Sequence, residues 1–221
     1  MTESKYPYFK PAGDSAVLMV MGEHIDLEVN RRVHALDELV LQEHLDGIVE
    51  TVPAYTSLLI YYDLLQLDYW QVVDWVSLKF SQVGIPGAEQ ARVTKIPTVY
   101  GGDDGPDLEY VAGYNQLSVE DVVEIHSSRN YPVFMMGFTP GFPYLGGMDL
   151  AIATPRLETP RTHVLAGSVG IAGEQTGVYP IDSPGGWQII GRTYLSLFDP
   201  EREKPFLLSP GDQVRFVPIS K

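Results

Sequence analysis

The order of apolar and polar residues divides this chain into two stretches with different rhythms. In the first, strand-like and helix-like periods alternate. Ala16 to Val20 is a short apolar run behind the turn-like Gly13-Asp14-Ser15, and it predicts a strand. Asp26 stands where a helix cap belongs. Val29, Val33, Leu36 and Val40 follow it at spacings of four, three and four, which puts them on one helical face. Gly47 restarts the chain, and Ile48 to Val52 and Leu58 to Tyr62 predict two further strands. Asp68 predicts a second cap, with Tyr69, Val72, Val73, Val76 and Phe80 on one face and Gly84, Pro86 and Gly87 ending the helix. Arg92 to Ile96 is β-branched enough for a fourth strand. The expected order is β-α-β-β-α-β, the split-βαβ or ferredoxin-like arrangement.

The second stretch is broken more often. Sixteen of the 21 glycines and 12 of the 17 prolines lie after residue 100, which predicts many short connections. Ser118 with Asp121 three residues on resembles a capping box, and it opens the one clear helix, through Val119, Val122, Val123 and His126. Short β-like runs surround it at 132–136, 163–165, 168–171, 187–190, 195–198 and 213–217. Many short strands with frequent turns predict a closed or nearly closed β-barrel. The expected domains are residues 1–92, α+β, and residues 93–221, mainly β.

Composition narrows the function. A net charge of −14 argues against a nucleic-acid-binding face and against docking on an anionic membrane. The chain has no cysteine, so disulfides, thiolate metal sites and cysteine nucleophiles are excluded. No secretion signal or membrane span is visible, and a cytoplasmic protein is expected. His24, His34 and His44 recur every ten residues, about 280° apart from one to the next on a helix, so they do not converge on a metal. No metal site is expected.

Chemistry concentrates between residues 137 and 193. The run Gly137-Phe138-Thr139-Pro140-Gly141-Phe142-Pro143-Tyr144-Leu145-Gly146-Gly147 packs aromatic rings between glycines and prolines. It reads either as a rigid loop plugging the barrel mouth or as the wall of a ligand pocket, with Phe138, Pro140, Phe142, Tyr144 and later Trp187 as candidate wall residues. Arg156 and Arg161 each follow a proline, five residues apart. They read as a carboxylate- or phosphate-binding pair, or as surface ion pairs to Glu158 or Glu174. Arg192 is a third candidate cation on an otherwise acidic body. The glycine-rich run 167–177 is neither a Walker A loop nor a dinucleotide turn. Ser168 misses the nucleophile-elbow pattern, since Ala166 stands where the first glycine is required. His126 reads as a satisfied structural residue. His163 is a candidate base without an evident orienting acid, and Asp149, Glu158, Glu174 and Asp182 leave the general base open. The constellation is part of a site rather than a whole one.

The runs 137–147, Thr-Pro-Arg-Leu-Glu-Thr-Pro-Arg-Thr (154–162), Ala-Gly-Ser-Val-Gly-Ile-Ala-Gly-Glu-Gln-Thr-Gly-Val-Tyr-Pro (166–180) and Ser-Pro-Gly-Gly-Trp-Gln-Ile-Ile-Gly-Arg-Thr (183–193) resemble the 5-oxoprolinase B-subunit family. That family is also called allophanate hydrolase subunit 1 and includes a sporulation-kinase inhibitor. The resemblance extends to Gly13-Asp14-Ser15, Val52-Pro53-Ala54-Tyr55 and Pro210-Gly211-Asp212. It implies a ferredoxin-like domain followed by a cyclophilin-like barrel. It also implies a heteromeric complex with the C and A components of 5-oxoprolinase. That complex opens 5-oxo-L-proline (pyroglutamate) to L-glutamate, using ATP with magnesium at the level of the complex. Arg156, Arg161 and Arg192 would hold substrate carboxylate or transferred phosphate. Thr162, Ser168, Gln175, Tyr179 and Ser183 would be further binding partners. Two other functions remain open under the same resemblance: a sensor histidine kinase inhibitor without catalysis, and an accessory component of a urea carboxylase or allophanate hydrolase system.

Overall fold

A computed structural model describes residues 5–84 and 92–220. The chain divides into two compact units, Met1–Gln90 and Ala91–Lys221. The first contains β1 (Tyr8–Pro11), β2 (Ala16–Val20), α1 (Leu27–Glu43), β3 (Ile48–Pro53), β4 (Ser57–Tyr62) and α2 (Tyr69–Gln82). Both helices start where a carboxylate satisfies a free backbone donor. Asp26 Oδ1 accepts from the Val29 amide at 2.9 Å. Asp68 and Gln71 exchange bonds in a capping box, 2.9 Å from the Gln71 amide and 2.8 Å from the Asp68 amide. Val33, Leu36 and Val40 of α1 and Val72 and Val76 of α2 pack with Val17, Met19, Leu58 and Ile60 in one core.

The sheet departs from the expected order. Its strands run β1-β2-β4-β3, all antiparallel. The fourth strand therefore comes from the start of the chain, and the order is ββαββα rather than βαββαβ. The run expected to complete this sheet, Arg92 to Ile96, falls in β5 (Val93–Tyr100), in the second unit. There β5 pairs on both sides, and Ile96 and Thr98 are fully buried. A strand joins the sheet that fills both its edges and buries its apolar face, whichever neighbour is nearer in sequence.

The second unit continues with α3 (Leu108–Asn115), α4 (Val119–Ser127), β6 (Tyr131–Met136), β7 (Pro143–Leu145), β8 (Arg161–Val164), β9 (Ser168–Ala172), β10 (Gln175–Val178), β11 (Ser183–Gly185), β12 (Gln188–Arg192) and β13 (Gln213–Pro218). Seven strands close a barrel in the order β10-β7-β6-β13-β5-β12-β9. Closure removes the exposed strand edges that an open sheet must protect. β5 and β13 run parallel over a register from Gln213 opposite Val93 to Pro218 opposite Thr98. β8 and β11 stand outside the barrel as a two-stranded ribbon. The residues around His163 thus belong to the ribbon. Leu195 to Phe198, expected as a strand, contributes a single bridge from Phe198 to Phe206. α3 has no counterpart among the expected elements. It has eight residues, lacks a side-chain cap and contains Gly113, so its start carries no local signal. The capping box of α4 is present, with Ser118 Oγ accepting from the Asp121 amide at 3.0 Å. Among the described residues no helix is long and apolar enough to cross a membrane.

His126 ends up inside the second unit's core, fully buried and 4.5 Å from the Phe216 ring. Its Nδ1 lies 2.7 Å from Tyr100 Oη and its Nε2 2.8 Å from Thr176 Oγ1. The Thr176 hydroxyl donates onward to the Gly170 carbonyl, so it accepts from His126 Nε2–H, and Nδ1 accepts from the Tyr100 hydroxyl. Both ring nitrogens are satisfied by a neutral imidazole.

Candidate functional site

A cleft of about 480 Å³ opens between the β6–β7 loop and the β8–β11 ribbon, in contact with Tyr179 and Trp187. Phe142 is its hub. That ring is 1 % exposed and meets Phe138, Tyr144, Tyr179 and Trp187 edge-on, at centroid distances of 5.6, 5.1, 5.3 and 5.4 Å. Edge-to-face contacts of this kind fix ring orientation as well as bury area. The β6–β7 loop presents the rings by a tight fold. Phe138 takes a left-handed φ of 65° and Gly141 a φ of 83°. The Phe142 amide donates to the Thr139 carbonyl at 3.0 Å, and the Gly137 amide donates to the Phe142 carbonyl at 3.1 Å. A non-glycine residue held at positive φ stores backbone strain, and here it leaves the Phe138 ring 62 % exposed at the cleft edge. The aromatic run thus places Phe138, Phe142 and Tyr144 along the cleft, with Phe142 buried and Phe138 at its exposed edge.

Glycine at two positions makes the room. A Cβ on Gly177 would stand 3.0 Å from the Trp187 ring and 3.1 Å from Phe142, and one on Gly185 would stand 2.2 Å from Tyr179 Oη. The polar groups in this apolar cleft are few. Arg156 lies over the Trp187 ring at 5.9 Å, with no carboxylate partner among the described residues. Thr139 Oγ1 and Ser183 Oγ are buried and hydrogen-bonded to nothing among the described residues. Burial raises the pKa of Tyr179, and the hydrogen bond from the Trp187 backbone and the charges of Arg156 and Arg161 oppose that rise. One cation and two unsatisfied hydroxyls in an aromatic cleft suit a compact ligand with a carboxylate and further hydrogen-bonding groups.

The other residues expected at the site lie elsewhere. Pro140 is exposed beside the cleft and does not line it. Arg161 Nη2 is bonded to Asp107 Oδ1 at 2.7 Å, so neither Glu158 nor Glu174 is its partner. Thr162 is exposed on β8, while Ser168 is buried in β9 opposite Arg192. Gln175 sits in β10 opposite Ala172. Arg192 Nε donates to the Ala166 carbonyl at 2.9 Å, and its guanidinium covers the Tyr194 ring. His163 Nε2 has an acid partner after all, Asp182 Oδ2 at 3.0 Å, but the pair is exposed and outside the cleft. The Ala166 amide, followed by His163, holds the Asp182 carboxyl below its ordinary range. Thr139, Leu157, Pro160, Pro184, Gly185 and Gly186 also line the cleft, and none of them is among the residues expected there. All six lie inside the motif runs of the sequence, Thr139 in 137–147, Leu157 and Pro160 in 154–162, and Pro184, Gly185 and Gly186 in 183–193, but no local chemistry singles them out.

The lining contains no carboxylate of aspartate and no histidine. It does not fit a magnesium–nucleotide complex, which calls for several cationic or backbone donors around the phosphates and oxygen ligands for the ion. Among the described residues no cluster of three or more histidine or acidic side chains is arranged for a metal ion.

The second unit is thus a closed β-barrel with a small aromatic cleft that has one arginine in its lining. Sequence and structure comparisons place it more narrowly. A model of the carboxyltransferase domain, subdomains C and D, matches residues 7–208. The B subunit of 5-oxoprolinase from Bacillus subtilis (strain 168) is 47 % identical over 220 residues, covering 95 % of this chain and 91 % of that protein. The chain belongs to the 5-oxoprolinase B-subunit family. The crystal structure of TTHA0988 superposes with a TM-score of 0.81 at 41 % identity, over 93 % of this chain and 40 % of that one. The urea amidolyase of K. lactis shares the fold, with a TM-score of 0.79 at 24 % identity over 96 % of this chain and 15 % of that one. This chain therefore spans two-fifths or less of both structures.

Proposed function

We propose that this chain is the B component of an ATP-dependent 5-oxoprolinase and that its cleft holds 5-oxo-L-proline. The observation that carries the reading is Arg156, over Trp187 and without a carboxylate partner among the described residues, in the lining of a cleft with two hydroxyls that have no partner there either. A guanidinium fork suits the substrate carboxylate, and Thr139 and Ser183 can bond the lactam N–H and C=O. The aromatic walls suit the ring's apolar edge. Urea itself carries no carboxylate for a guanidinium fork to grip, which favours the lactam over free urea as the occupant of the cleft. The cleft has neither a general base nor a nucleotide cradle, so the catalytic base and the ATP–magnesium complex belong to the C and A components. In the same reading the first unit is a permuted ferredoxin-like domain whose closing strand is β1, and the barrel is cyclophilin-like.

The test is glutamate release from 5-oxo-L-proline and ATP by the three co-expressed components, each omitted in turn. Release that requires this chain, and falls when Arg156 becomes Gln in an intact complex, supports the proposal. An intact complex that consumes ATP with urea but not with 5-oxo-L-proline overturns it.

A further inference from the structure

Arg156 and Arg161 look equivalent in sequence, yet only one lines the cleft. The difference is made by Asp107, just before α3. Asp107 Oδ1 accepts from Arg161 Nη2 at 2.7 Å, and its Oδ2 accepts from the Ile189 amide at 2.6 Å. Its own amide donates to the Ile189 carbonyl at 2.8 Å. Arg161 completes the chain of contacts by donating from Nη1 to the Trp187 carbonyl at 3.3 Å. The Asp107 side chain is 12 % exposed and the Arg161 side chain 32 %. A half-covered ion pair with a second, backbone donor on the same carboxylate is better held than an exposed pair.

The pair connects parts of the molecule that the barrel hydrogen bonds do not join. Arg161 opens β8, opposite Gly185 of β11. That ribbon supplies Ser183, Pro184 and Gly185 to the cleft. Asp107 is anchored to β12 through Ile189, two residues beyond Trp187.

We propose that Asp107 is a positioning residue for the cleft. By holding Arg161 it fixes the ribbon and Trp187, and it leaves Arg156 as the guanidinium presented to the ligand. Neither Asp107 nor Arg161 touches the ligand. This inference rests on the cleft being the ligand site, and its consequence is geometric: losing the pair weakens charged and uncharged ligands by the same factor, whereas losing Arg156 weakens only the charged one.

The full chain labelled with 5-fluorotryptophan gives one 19F resonance for each of its three tryptophans, with Trp187 assigned by its loss in Trp187→Phe. Asp107→Asn keeps an acceptor for the Ile189 amide but loses the ion pair; Arg161→Met removes the pair from the other side. Each is expected to shift and broaden the Trp187 resonance and leave those of Trp70 and Trp75 unmoved. In calorimetry each should weaken 5-oxo-L-proline and uncharged 2-pyrrolidinone equally, by roughly tenfold, with the double variant no worse than either single one. An unmoved Trp187 resonance in either folded variant, or additive losses in the double variant, overturns the proposal. If one variant fails to fold, the other carries the test. If the unsubstituted chain binds neither ligand, the reading of the cleft fails, and the Trp187 resonance still decides the positioning role.

Discussion

His126 makes the stability of the barrel depend on pH in a window that lies largely above the ordinary carboxylate range. Burial pushes the imidazole pKa down from 6.5 to about 3. Well above pH 7 the ring is neutral whether the chain is folded or unfolded, and its contacts stand at full strength. As the pH falls through 6.5 the unfolded chain takes up a proton that the folded chain refuses. Stability therefore drops by about 1.4 kcal/mol per pH unit until the folded pKa is reached. Between pH 7 and pH 5 the loss is about 2 kcal/mol, and that figure is the same for any folded pKa below about 4. The carboxyls held below their ordinary values by hydrogen bonds, among them Asp121 and Asp182, act with the same sign but only at more acid pH, where carboxylates protonate. Urea unfolding followed by tryptophan fluorescence at pH 7.5, 6 and 5 would measure the loss. His126→Gln, already weaker at pH 7.5 because the Tyr100 and Thr176 contacts change, should lose less than about 0.5 kcal/mol over the same range. An equal loss in both proteins, or none in the unsubstituted one, refutes the argument. The result also bears on chemistry. A general base must change charge near its working pH, and a neutral ring closed in by Tyr100, Thr176 and Phe216 does not.

Three further outcomes follow from the geometry of the cleft. Arg156→Gln should weaken 5-oxo-L-proline by roughly tenfold in calorimetry, the cost of one charge-assisted contact, with no change in melting temperature. Gly185→Ala places a Cβ 2.2 Å from Tyr179 Oη, so the ribbon must move; ligand binding should be lost while the far-ultraviolet circular dichroism is kept. His163→Ala removes an exposed pair outside the cleft, and turnover of the assembled complex should stay within about twofold, since exposed ion pairs contribute little.

The helices of the first unit are legible because their signals are local. A capping carboxylate and an apolar face are written within a dozen residues, as in Asp68 with Gln71 and Val72 with Val76. Strand partnership is not local. Nothing within Tyr8–Pro11 announces that it will lie beside β2, and nothing within Val93–Tyr100 announces that β13, more than a hundred residues later, will pair with it in parallel. The swap of these two strands between the expected and observed sheets is a choice made by distant partners. α3 escapes a sequence reading for a related reason: it is held by the burial of Leu108, Val111 and Ala112 against the barrel core, and its uncapped start carries nothing to read.

The candidate site divides in the same way. Part of its aromatic wall is contiguous in sequence, with Phe138, Phe142 and Tyr144 together on one loop and the strand that follows, while Tyr179 and Trp187 come from further along the chain. The arginines are a harder case. Pro155-Arg156 and Pro160-Arg161 present the same local chemistry, and no spacing rule ranks them. What separates them is Asp107, 54 residues earlier than Arg161, brought into place by α3 and by the Ile189 amide. A guanidinium that meets a buried carboxylate is spent on structure, and one that meets only an aromatic face keeps its charge for a ligand. The sequence shows how many cations a site has to draw on, and the fold decides which of them remain available. On this chain the fold turns Arg161 and Arg192 to holding the ribbon and the β9 turn and leaves Arg156 at the cleft.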